Sequence, residues 1–123
     1  MRFVHELDRD PTALQPARQA LETWCSAEQI DPDSILIIAN ELCSNAIRHG
    51  TGQVLLRAIS SPTWIGLGVW QEGSASISLP PRVTHEELQL TGRGLAIVDA
   101  LAESWGWQST SESTLIWARI RPA

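Results

Sequence analysis

The residues best suited to chemistry lie in one run, Glu41-Leu42-Cys43-Ser44-Asn45-Ala46-Ile47-Arg48-His49. At about 3.6 residues per helical turn, Glu41 and Asn45 stack one turn apart and Arg48 returns to nearly the same azimuth. His49 lies at the edge of that face. A carboxylate beside a carboxamide, on a helix whose other face is apolar, suits metal–phosphate chemistry. Asn45 can ligate Mg²⁺ through its side-chain oxygen while Glu41 orients or deprotonates an attacking group. The same spacing also suits a solvated helix face on which Glu41 pairs with Arg48, and spacing by itself fits both.

Two further stretches carry chemical potential. In Thr91-Gly92-Arg93-Gly94-Leu95 two glycines stand at a loop-to-helix junction. The backbone can approach a ligand closely there, and a helix N-terminus offers unpaired N–H groups to an anion such as phosphate. An ordinary loop ending has the same composition. It is not a Walker loop, since the chain has no lysine, and the glycines follow a polar loop rather than the strand a dinucleotide fold requires. In Val69-Trp70-Gln71-Glu72-Gly73 a polar pair stands where a strand leaves its sheet, placed either to touch a ligand or simply to turn. No serine, histidine and aspartate set has a nucleophile-elbow pattern. Cys25 and Cys43 form no CxxC or Cys/His cluster, so they read as small buried hydrophobes rather than a zinc or redox site.

Particular elements must hold these residues in place. Arg2 to Leu7 alternates and reads as a strand. Asp10-Pro11 opens a helix to about Ala27, with Leu14, Ala17, Leu21 and Trp24 on one face. Asp31-Pro32 opens a second to about His49, where Gly50 supplies a stop; Ile35, Ile38, Ala39, Leu42 and Ala46 form its apolar stripe. Gln53 to Ile59 and Trp64 to Trp70 read as a hairpin linked by Ser60-Ser61-Pro62-Thr63. Ser74 to Thr91, rich in serine and holding Pro80-Pro81, is a long loop of the kind that tends to be functional. A third helix follows, with Leu95, Val98, Leu101 and Ala102 on one face and Gly106 as its stop. Trp107 to Thr110 and Thr114 to Ile120 close the chain as a hairpin. This order predicts an α+β two-layer sandwich, helices on one face of a mixed, mostly antiparallel sheet.

Composition sets the outer limits. The chain has 123 residues, enough for one domain over 1–123 with its own core. With 9 basic residues, all arginine, against 14 acids, the net charge is -5, and no basic run exists to grip a phosphate backbone. Direct nucleic-acid binding is therefore not expected. No segment has a leader pattern or the apolar length of a membrane span, so the expected setting is the cytoplasm, away from membranes.

Taken together and in order, Glu41-x-x-x-Asn45-Ala46-x-x-His49, the polar strand end and Gly92-Arg93-Gly94-Leu95 resemble the N, G1 and G2 boxes of the GHKL (histidine kinase-like, Bergerat-type) ATP-binding fold. The small size, the Asp-Pro helix starts and the closing hairpin are most similar to anti-sigma regulatory factors with serine/threonine kinase activity. The resemblance covers roughly residues 2 to 121. It implies that Glu41 is the catalytic base or water-positioner and that Asn45 holds Mg²⁺ at the phosphates of ATP. It also implies that Asn45, His49, Gln71, Gly73, Thr91, Gly92, Arg93, Gly94 and Leu95 surround the nucleotide and that residues 74–91 form an ATP lid. The partners it implies are a sigma factor and a STAS-type antagonist phosphorylated on serine or threonine. Relatives commonly pair, and the six tryptophans leave room for a homodimer.

The match departs from the family at the G1 box, which usually reads Asp-x-Gly-x-Gly. Here the run is Gln71-Glu72-Gly73-Ser74-Ala75, so a neutral carboxamide stands where the adenine-reading carboxylate is expected. Loss of that charge-assisted hydrogen bond weakens binding by about 1.5–3 kcal/mol, roughly ten- to more than a hundredfold. The alternative reading is a pseudo-kinase that keeps the fold and works as a protein-binding module.

Overall fold

The computed structural model describes residues 1–48, 52–72 and 93–121. The alternating N-terminal stretch forms β1 (Arg2–Leu7), and both Asp-Pro signals start helices. Asp10 Oδ1 accepts from the Thr12 amide at 3.0 Å, and the Ala13 amide donates to Asp10 O at 2.8 Å. That three-residue bonding winds the start as a 3-10 turn, Pro11–Ala13, before α1 (Leu14–Ala27). Asp31 caps α2 (Asp33–Arg48) in the same way, its Oδ1 accepting from the Asp33 amide at 3.1 Å. The expected end of this helix at His49 and Gly50 lies outside the described residues.

The end of α1 is built without glycine. Ile30 N–H donates to Cys25 O at 2.8 Å and Gln29 N–H to Ser26 O at 3.2 Å, the pair of bonds of a Schellman stop. Gln29 takes the left-handed position of that motif, with φ 57°.

After α2 come β2 (Val54–Ser60), β3 (Ile65–Glu72), α3 (Arg93–Leu101), β4 (Ser104–Ser109) and β5 (Ser113–Ile120). The strands form an open sheet in the order β1-β2-β3-β5-β4, with every neighbouring pair antiparallel. The helices pack on one face, which gives the expected α+β two-layer arrangement. Ile65, Leu67 and Val69 of β3, with Ile116, Ala118 and Ile120 of β5, face Ile35, Ile38 and Leu42 of α2, and all are buried. Cys25 and Cys43 are free thiols inside this core.

Two expectations need correction. Gly106 does not stop α3, which ends at Leu101; it lies inside β4 opposite Trp117. A Cβ there would come within 2.9 Å of Trp117 Cζ2, so glycine makes room for a cross-strand indole rather than a helix cap. Strand β3 also runs beyond Trp70. Gln71 and Glu72 still pair with Thr114 and Ser113 of β5, so the polar pair lies within the ladder and not past it.

Candidate functional site

Cross-strand register brings one residue from each strand into a row on the helix-facing side at one end of the sheet. The row reads Leu7, Val54, Gln71, Thr114, Ser109. Every row beyond it is dominated by apolar side chains. In this one, Gln71 and Thr114 are the buried polar side chains among the described residues, 3% and 1% exposed. Most buried polar groups have a hydrogen-bond partner. Thr114 Oγ1 lies 3.0 Å from Ser109 Oγ, and Gln71 Oε1 accepts from Arg9 Nη2 at 3.2 Å.

Arg9 ties this floor to the helix above. Its Nε donates to Gly52 O at 2.7 Å and its Nη1 to Ala46 O. Ala46 lies in the last turn of α2 that the structure describes. One half-buried guanidinium thus joins the loop after β1, the end of α2, the approach to β2 and the end of β3. Desolvation lowers the Arg9 pKa from its ordinary value. Sequence reading missed Arg9, which belongs to no motif. It also missed Thr114, although the apolar alternation Ile116, Ala118, Ile120 extends back to it and would have marked a lone polar residue on the buried face.

On α2, Glu41 and Asn45 are both half-buried. Neither Glu41 nor Arg48 has a hydrogen bond or ion pair among the described residues, so the Glu–Arg pairing that the spacing allowed is not made. Asn45 Nδ2 is buried without a partner among the described residues. Such an atom costs about 1–3 kcal/mol, a cost that a ligand can relieve. Rotating the carboxamide by half a turn presents Oδ1 from the same place, the atom type through which asparagine ligates Mg²⁺. These donors therefore fit a magnesium–phosphate group: a carboxamide with unsatisfied capacity, beside a carboxylate with no other commitment.

Of the remaining residues singled out, Arg93 opens α3, Gly94 follows it, and Leu95 is buried in the first turn of this helix, which packs against α2. Glu72 is exposed and turned from the row that holds Gln71; its Oε2 accepts from the Gln53 amide at 3.3 Å. His49, Gly73, Thr91, Gly92 and the lid 74–91 lie outside the described residues. The structure thus groups Glu41 with Asn45, and joins Gln71 through Arg9 to Ala46, the neighbour of Asn45.

The family model of the histidine kinase-like ATPase domain matches residues 7–120, from the end of β1 to the end of β5. No curated protein matches the chain.

Proposed function

From a chain that belongs to the histidine kinase-like ATPase domain family, we propose an ATP- and Mg²⁺-dependent regulator that phosphorylates a serine or threonine of a STAS-type antagonist and sequesters a sigma factor. The observation that carries this reading is the buried Asn45 Nδ2, without a partner among the described residues, beside the uncommitted carboxylate of Glu41. Asn45 would hold Mg²⁺, which when bound screens the charge of the phosphates. Glu41 would accept the proton of the attacking hydroxyl as that oxygen bonds to the γ-phosphorus and ADP leaves. By resemblance Thr91, Gly92, Arg93 and Gly94 would line the triphosphate.

A second reading has its own observation. The oxygen of Gln71 already accepts from Arg9, leaving one lone pair for an adenine amino group. This favours the pseudo-kinase, a module that binds its protein partner without regard to nucleotide. Calorimetric titration with ATP, with and without Mg²⁺, separates the two. Mg²⁺-dependent binding that Asn45→Ala abolishes, and that Glu41→Ala keeps while losing phosphoryl transfer, supports the kinase. Absence of binding, or transfer at an unchanged rate in Glu41→Ala, overturns it.

A further inference from the structure

An apolar groove of about 660 Å³ lies on the sheet face opposite the helices and so opposite Glu41 and Asn45. Its floor is shaped by glycine. A Cβ on Gly66 would come within 3.1 Å of Ile59 Cγ2 and Trp64 Cζ3, and one on Gly68 within 3.2 Å of Leu115 Cδ1. Two glycines on the central strand let these larger side chains lie flat across it. The rim includes Val4, 62% exposed, and Ile59, 36% exposed, apolar groups that a free surface of this size rarely leaves uncovered.

Charge selects the occupant. The chain carries a net charge of -5, yet three of its nine arginines, Arg2, Arg57 and Arg119, line the groove, and no acid does. None of the three is in an ion pair among the described residues; Arg119 stacks over the Trp64 ring at 4.8 Å. Cross-strand register gives the row Arg2, Ile59, Gly66, Arg119. An arginine thus stands at each side of an apolar lane, three strand spacings or about 14 Å apart. A helix with its side chains is about 10–12 Å across.

We propose that this face docks an amphipathic helix of another protein, its apolar stripe on Ile59, Trp64, Leu115 and Trp117 and its flanking carboxylates on Arg2 and Arg119. Arg57 lies within the lane's length and adds a third contact for an acid. The nucleotide site is on the other side of the sheet, so this surface stands or falls independently of it.

The probe is a labelled synthetic amphipathic helix of about 18 residues (five turns) with leucine along one stripe and glutamate on both flanks. Its twin carries lysine at every glutamate. Fluorescence anisotropy with the full chain is expected to show the glutamate peptide binding about tenfold or more tighter. The preference should disappear in the Arg2→Gln, Arg119→Gln double variant, which changes two exposed side chains and keeps the fold. Equal binding of the two peptides, or binding of neither, overturns the proposal. Light scattering of a Val4→Asp, Ile59→Asp variant tests the other occupant: a dimer in the original chain that falls to monomer in this variant assigns the face to a second copy and also overturns it.

Discussion

Asn45 and Arg9 show two opposite ways for a polar side chain to sit near the core. Among the described residues Asn45 keeps a buried Nδ2 without a partner, whereas Arg9 reaches Gly52, Ala46 and Gln71. Removal should therefore act in opposite directions. Asn45→Ala deletes an unsatisfied buried group and installs a better helix former, so stability should rise by about 1 kcal/mol while Mg²⁺-dependent nucleotide binding is lost. A fall in the thermal midpoint would mean that Asn45 is structural. Arg9→Met leaves two carbonyls and the Gln71 amide short of a donor and should cost about 2–3 kcal/mol, read from urea unfolding. Arg9→Lys should not restore it, because a single ammonium cannot span three acceptors set around a planar fork. Rescue by lysine would show that charge alone matters at the end of α2.

At the scale of elements, the stop of α1 contains a correctable strain. Gln29 holds φ 57° in a Schellman position that glycine occupies at lower cost. Gln29→Gly should raise stability by about 1 kcal/mol, since the position is exposed and its backbone bonds to Ser26 and Cys25 are unaffected. An unchanged or lowered thermal midpoint would show that the entropy gained by the unfolded chain outweighs the relief. Where chemistry is local, the sequence announces the element. Asp10-Pro11 and Asp31-Pro32 mark both helix starts, and alternation marks β1, β2 and β3 to within two residues. Where the cause is a distant partner, it is silent. Gly106 looks like a helix stop until Trp117 is placed across from it, and Gln71 looks like a turn residue until β5 supplies Thr114. The candidate site divides in the same way. Glu41 and Asn45 are visible because one helix spaces them, whereas Arg9 reaches Gln71 only through the tertiary fold.

At the scale of the whole molecule, the sheet separates two surfaces: a polar end under the helices and an apolar, arginine-edged lane on the open face. The core between helices and sheet includes two thiols, Cys25 and Cys43, 0% and 2% exposed. Burial pushes the Cys43 thiol up to about 12, and burial, with Glu22 and Asp31 nearby, pushes Cys25 up to about 11, both from an ordinary value of 9.0. Because the folded values are raised, the stability they carry is complete below pH 9. It is lost as pH rises from there, once the unfolded chain releases protons that the folded chain retains. Each thiol in that state costs about 1.4 kcal/mol per pH unit. The composition makes the measurement clean, since the chain has no lysine and no tyrosine to titrate in the same interval. Urea unfolding should give a stability that is level from pH 7.5 to 8.5 and falls steeply between 9 and 11. A Cys25→Ala, Cys43→Ala variant should start lower, because it loses core volume, but should stay level across the same range. A slope that persists in that variant would place the alkaline sensitivity elsewhere than in the thiols.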